Sequence, residues 1–365
     1  MRTRREFLRS TALGGIAGIV ASKTAPSYAQ NRGMLKIGQL GLGGHNFALL
    51  FKNYYEKYKD TIRCMPHAFW DDVPGVAERF RERGFETVCK TPEEVVKESD
   101  VICVEHADYR RSLELARPAL EAGKPVFIDR PFTSSIYSAE EIVRLAREND
   151  APLMSCSSLE LQPELPEIRQ WVKENEPVRS YECYCPEPMF QWMFPHTINF
   201  AHAVIGGGIE TAYFSGDFIV ELGDIQSAGK YWFDPGRPLG DSISLLTYKS
   251  RNGEPPIIGM NHIGPGPGTY NIFIYTVKES KNFVVGKHLD DPKIFLPMLL
   301  TLNDFFVNRK PPRPYEAILE QHRAHVATGI SRLTGSAVRL DKLGGEDALP
   351  YSDSVRDWVE RFVLG

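Results

Sequence analysis

The most constraining stretch lies near the start of the chain. An apolar run, Leu35-Lys36-Ile37-Gly38-Gln39-Leu40, ends in Gly41-Leu42-Gly43-Gly44-His45-Asn46, and an apolar helical pattern, Phe47-Ala48-Leu49-Leu50-Phe51, follows at once. Strand, glycine-rich turn and helix in this order make a cradle for phosphate groups. Gly41 permits the tight turn, and Gly43 has no Cβ to hold the backbone away from a pyrophosphate. The helix N-terminus offers N–H groups and the positive end of its dipole to the same anion. The third glycine of the G-x-G-x-x-G pattern is Asn46 here. The turn alone therefore specifies no ligand, and the elements around it must.

Those elements alternate. A strand pattern over residues 62–70 ends at Asp71-Asp72, and a short amphipathic helix over Val76–Arg83 is stopped by Gly84. Thr91-Pro92-Glu93-Glu94 is a capping box with proline at the first helical position. The unbroken apolar run Val101–Val104 reads as a buried parallel strand. A helix over residues 109–122 closes at Gly123, and Pro118 should kink or shorten it. A strand over 125–128, a helix to Arg147 and a strand over 152–156 complete the series. Strands alternating with helices specify a doubly wound parallel sheet, whose ligands bind at the carboxyl ends of the strands. The residues just past those ends are Gly41, Leu42, Gly43, Gly44, His45, Asn46, Asp71, Glu105, His106, Asp129 and Arg130, with Ser157 after the last strand. The first eleven are the expected dinucleotide contacts. An acidic residue closing the second strand hydrogen-bonds the adenosine ribose. Asp71 comes 30 positions after Gly41, later than the usual spacing of about 20, which calls for a long first helix. Its carboxylate would repel a 2′-phosphate, favouring NAD over NADP.

At 365 residues the chain can build two substantial cores. Its first segment reads differently. Arg4-Arg5-Glu6-Phe7-Leu8-Arg9 precedes an apolar run too short to span a bilayer, and Ser27-Tyr28-Ala29 follows as a small-residue cleavage pattern. Residues 1–29 resemble a twin-arginine signal peptide, a receptor-read address. Export to the periplasm or medium is expected, with no stable membrane anchor. The leader carries Arg2, Arg4, Arg5, Arg9 and Lys23 against Glu6, so the remainder is more acidic than the whole chain's −4. With no basic stripe, that balance argues against nucleic acid or anionic membrane as partner. Six cysteines show no zinc-type spacing, and neither a metal site nor a disulfide framework is expected. Cys183 and Cys185 should flank Tyr184 on one face of a strand.

From residue 178 the pattern becomes strand-like, over 179–185, 213–221, 242–249, 256–260 and 270–278, with Asn252-Gly253 as a hairpin turn. Two helical patterns, over 294–307 and 315–333, flank a stiff Pro311-Pro312-Arg313-Pro314 connector. The organisation expected is a parallel dinucleotide-binding unit over 34–157 and an α+β unit over 158–365, with an open, mostly antiparallel sheet suited to subunit pairing. Trp192, Tyr231, Trp232 and Tyr270 are candidates to stack a sugar face.

The segment Ala119-Leu120-Glu121-Ala122-Gly123-Lys124-Pro125-Val126-Phe127-Ile128-Asp129-Arg130-Pro131 resembles the A-L-x-A-G-K-x-V-x-x-E-K-P signature of the glucose–fructose oxidoreductase / inositol dehydrogenase (Gfo/Idh/MocA) family. A helix beginning Pro195-His196-Thr197-Ile198-Asn199 and the Gly206-Gly207-Gly208 after it are similar too. The resemblance implies a Rossmann domain followed by an open-sheet domain, with NAD(P) between them and a sugar or polyol as substrate. Several members are exported by the twin-arginine route. The departures are specific. Arg130 stands at the family lysine, Asp129 at the glutamate, and Trp192 and Asn199 at the two aspartates of D-x-x-x-H-x-x-D, while His196 keeps the histidine. His196 is then the expected acid–base, with its cation disfavoured near a helix N-terminus. Arg130, which cannot be deprotonated, orients substrate, and Trp192 and Asn199 complete the expected substrate set. Glu105 and His106 are the alternative acid–base pair. The competing functions are a redox-neutral NAD-dependent glycosidase or lyase, and a catalytically degenerate binding protein.

Overall fold

The computed structural model describes residues 33–42, 45–73, 75–186, 190–216, 241–264, 269–285 and 292–349. The leader, Gly43, Gly44, Tyr231 and Trp232 lie outside the described residues. The first unit runs β1 (Leu35–Leu40), α1 (Phe47–Tyr58), β2 (Cys64–Trp70), α2 (Val76–Arg83), β3 (Thr87–Val88), α3 (Pro92–Glu98), β4 (Val101–Val104), α4 (Ser112–Glu121), β5 (Val126–Ile128), α5 (Ile136–Glu148) and β6 (Leu153–Met154). The six strands are ordered β3-β2-β1-β4-β5-β6, and each adjacent pair is parallel. Strand order reverses between β1 and β4, the crevice where such sheets hold ligands. The expected doubly wound sheet is the one observed.

Local chemistry accounts for the elements. The Thr91 hydroxyl accepts from the Glu94 N–H at 3.3 Å, while Glu94 reaches back to the Lys90 N–H at 2.7 Å, so α3 starts where its capping residues stand. Pro118 remains inside α4, whose first turn is a separate 3₁₀ segment over Tyr109–Arg111. The expected long first helix is not observed. α1 has 12 residues, an ordinary length, and the turn over residues 59–63 takes up the rest of the spacing. Arg63 N–H donates to Asn303 Oδ1 at 2.7 Å and the Asn303 amide donates to Thr61 O at 3.1 Å, pinning that turn to a helix far along the chain.

The second unit contains α6 (Leu165–Asn175), β7 (Val178–Cys185), α7 (Phe190–Ile205), β8 (Ile209–Gly216), β9 (Ser242–Tyr248), β10 (Ile258–Ile263), β11 (Tyr270–Thr276), β12 (Ser280–Val285), α8 (Leu296–Asn308), α9 (Tyr315–Thr334) and β13 (Val338–Arg339). Its sheet is ordered β12-β11-β7-β10-β9-β8-β13. β7 and β10 pair parallel and the other neighbours antiparallel. Asn252 (φ 54°) and Gly253 (φ 77°) are both left-handed in the connection from β9 to β10, as a hairpin turn requires. Period-two patterning puts Tyr181, Cys183 and Cys185 on the buried face, and all six thiols are free. That face packs against Phe194, Ile198 and Ala201 of α7 and Val326 and Ala327 of α9. The opposite face leaves Ile258, Tyr275 and Val284 exposed. α8 returns to the first unit, where Met298, Leu299, Leu302, Phe305 and Phe306 share a core with Phe47, Phe69 and Phe127. No helix among the described residues is long and apolar enough to cross a membrane.

Candidate active site

The site is built at the carboxyl edge of the parallel sheet and meets α7. At its outer end Gly41 adopts φ 84°. A Cβ there would stand 2.5 Å from the His106 Cα, so only glycine lets the β1 turn lie against His106, the second residue past β4. Asp71 binds this turn directly: its two oxygens accept from the N–H groups of Leu42 and Val73, each at 2.7 Å. Burial raises the Asp71 pKa, opposed by those two N–H donors. Asp72 accepts from Arg111 at 2.9 Å and pairs with His106 Nε2 at 3.1 Å. Arg111 also lies 5.4 Å from the Trp70 ring centroid.

Asn46, the residue in place of the third glycine, takes a left-handed conformation (φ 55°, ψ 56°), which asparagine tolerates better than most side chains. Its carboxamide oxygen accepts from Gln39 Nε2 at 3.0 Å, and the same amide donates to Gly41 O at 3.1 Å. Gln39 thus clamps both ends of the turn. Beneath it Glu105, 2% exposed, accepts the Phe47 N–H on Oε1 at 2.9 Å. Burial, and then the Asp129 carboxylate, push Glu105 well above the ordinary glutamate range.

At the inner end, His45 Nδ1 stands 2.7 Å from Asp129 Oδ2 and Nε2 stands 3.1 Å from an Arg130 guanidinium nitrogen. Because arginine only donates, Nε2 is the acceptor and Nδ1 carries the proton shared with Asp129. Burial alone would raise Asp129, but His45 and Arg130 outweigh it and hold the carboxyl below its ordinary value. Arg130 also donates to the Trp192 carbonyl at 2.8 Å; the link to Trp192 is made through its backbone. Arg130 Nε is buried with no hydrogen-bond partner among the described residues.

His196 is 3% exposed, with Nδ1 2.5 Å from Ser157 Oγ. Its ring centroid is 6.4 Å from that of His45 and 5.8 Å from that of Tyr270. Its pKa is lowered well below the usual imidazole value by burial, then by Arg130 and His45. The expected cause was different. α7 begins at Phe190, so His196 sits in the second helical turn, beyond the reach of an N-terminal dipole effect. Ser157 was not singled out as a partner, yet Ser157-Ser158-Leu159-Glu160 is itself a capping box. Glu160 accepts the Ser157 N–H at 2.8 Å, and Ser157 Oγ accepts the Leu159 N–H at 3.1 Å. Asn199 instead lines a small cavity with Arg130, Ser155, Arg313, Gln321 and His322.

The donor set suits an adenine dinucleotide at its ribose end. A half-buried carboxylate closes β2, a left-handed glycine turn stands next to it, and the crevice is at the reversal of strand order. At the diphosphate end, α1 presents its N-terminus but shares it with Glu105.

Comparison with known proteins agrees. Residues 35–156 match the family model described as "Oxidoreductase family, NAD-binding Rossmann fold" (GFO_IDH_MocA). A stretch of 160 residues is 30% identical to "Dehydrogenase aclE" of Aspergillus oryzae, covering 43% of this chain and 40% of that protein; the match spans less than half the length of that curated relative. Among solved structures, a probable dehydrogenase from Thermotoga maritima superposes with TM-score 0.66 at 16% identity, covering 85% of this chain and 100% of that one. Scyllo-inositol dehydrogenase from Lactobacillus casei, solved with NAD(H) and scyllo-inositol, gives TM-score 0.63 at 15% identity over 85% and 100% of the two chains. The parallel-sheet unit thus matches the NAD-binding Rossmann model of the Gfo/Idh/MocA oxidoreductase family, and 85% of the chain shares the fold of these two solved structures.

Proposed function

We propose that this chain is an exported NAD-dependent oxidoreductase that moves hydride between a nicotinamide and a hydroxyl-bearing carbon of a sugar or polyol. The observation that carries the reading is the convergence of two units. His45 on the dinucleotide turn and His196 on α7 face each other at 6.4 Å between ring centroids, with Arg130 beside both. A bound nicotinamide supplies the hydride acceptor or donor. The chain supplies the rest. In the tautomer that carries its proton on Nδ1, against Ser157 Oγ, the His196 Nε2 lone pair is free to take the substrate hydroxyl proton. Arg130, fixed by His45 and the Trp192 carbonyl, holds a permanent positive charge against the developing alkoxide. The low His196 pKa keeps the imidazole neutral, as a base requires. Asp71 at the ribose position supports NAD over NADP. Residues 1–29 support export, and the exposed sheet face carrying Ile258, Tyr275 and Val284 supports pairing of two copies.

Denaturing the purified chain and identifying any released dinucleotide tests the first half of the reading. A scan of polyols for reduced-nicotinamide absorbance tests the second. Bound dinucleotide with net reduction is expected. Product without net reduction replaces the reading with a redox-neutral cycle, and neither dinucleotide nor turnover replaces it with a binding protein.

A further inference from the structure

Glu105 occupies a place where an anion is welcome and a second anion is not. It follows β4 beside β1, where strand order reverses, and its Oε1 takes the N–H of Phe47, the first residue of α1, at 2.9 Å. The side chain is 2% exposed and Oε2 is buried with no hydrogen-bond partner among the described residues. Its electrostatic neighbours are Cys103 on its own strand and Asp129 after β5, and the backbone N–H of Asn46 joins that of Phe47 in donating to it. Burial keeps the Cys103 thiol neutral. His45 is held by Asp129 at 2.7 Å, and Arg130 by His45 and the Trp192 carbonyl. Among the described residues no cation forms an ion pair with Glu105, and the charged group that acts on it is the Asp129 carboxylate.

A helix N-terminus stabilises one negative charge. Two carboxylates and a diphosphate gathered in one buried crevice cannot all remain ionised without a large penalty. We propose that Glu105 is a proton-dependent gate on the dinucleotide site: as the neutral acid it caps α1 and admits the diphosphate, and as the carboxylate it repels it. The inference rests on the dinucleotide reading above. Burial and Asp129 both push Glu105 toward its acid form, and an arriving diphosphate pushes it further the same way. Binding above the free chain's Glu105 pKa must therefore take up a proton.

Calorimetric titration of NAD into the full chain, in buffers of different ionisation enthalpy between about pH 6 and 9, reads that proton directly and needs no substrate. Uptake rising toward one proton per NAD is expected on the alkaline side, with Kd weakening by up to about tenfold per pH unit there. Glu105→Gln, checked for folding by circular dichroism, should bind NAD with no proton uptake and a flat Kd. Binding without uptake in the unaltered chain, or uptake that persists in Glu105→Gln, overturns the gate and leaves the dinucleotide reading standing. Failure of NAD and NADP to bind either form at any pH overturns both.

Discussion

The two ends of the sheet edge handle their polar groups in opposite ways. At the outer end every carboxylate oxygen of Asp71 and Asp72 has a donor or cation: Leu42, Val73, His106 and Arg111. At the inner end Glu105 Oε2 and Arg130 Nε are buried with no partner among the described residues, and burial, then Arg130 and His45, keep His196 neutral. A satisfied network fixes geometry, because each donor and acceptor limits its neighbours. Orphaned groups cost stability and persist where chemistry or a ligand can use them. The outer end is thus a rigid frame, as the proposed ribose site needs, and the inner end holds the unpartnered groups on which the proposed proton transfer rests.

The sharpest way to break this contrast is His196→Ala. Turnover should fall roughly 10²-fold or more while dinucleotide affinity, measured by calorimetry, stays unchanged; retained turnover would remove His196 from the chemistry. Asp71→Ala probes the other end. Loss of the acceptor for Leu42 and Val73 should weaken NAD about tenfold or more and narrow its advantage over NADP, with the rate at saturating dinucleotide little altered. Equal affinities for NAD and NADP in the unaltered chain would refute the role assigned to this carboxylate.

Stability against pH sharpens the contrast further. His196 and His322 are buried and neutral, His322 having its pKa lowered to about 4 by burial. The unfolded chain binds protons on both near the ordinary 6.5, so their contribution is present above that value and lost as pH falls below it, for His322 through about 4. The unfolding midpoint should drop by several degrees across this window, and His322→Gln should flatten part of the slope. Glu105 acts in the opposite sense. Its folded pKa lies above the ordinary 4.5, so its contribution is complete below 4.5 and drains away as pH rises. Glu105→Gln should therefore raise the midpoint by a few degrees at about pH 8 and leave it unmoved near pH 4. The smallest effect belongs to the rim: Asp72→Ala, which loses a pair only partly buried against Arg111, should cost under about 1 kcal/mol.

Much of the frame could be read from residue order. Apolar runs separated by caps and glycines located β1, β2, β4 and β5, and the rule that parallel sheets bind at their carboxyl ends put Gly41, Asp71, Glu105, Asp129 and Arg130 along one edge. Strand β12, Ser280–Val285, escaped notice because it is an edge strand with four exposed residues of six, and its polar side chains hide the period-two signal. The pairing of Ser157 with His196 spans 39 positions and has no local signature.

What the sequence determined alone is the set of local choices: where helices start, which face of each strand is apolar, and which carboxylates end strands. These depend on neighbours a few residues apart. Only the tertiary structure decided that His45 joins Asp129 to Arg130, that His196 is neutral through burial rather than helix position, and that Glu105 meets no cation among the described residues. Solvation and charge are sums over everything nearby in space, and residues 39 to 85 positions apart become neighbours only when the chain is folded.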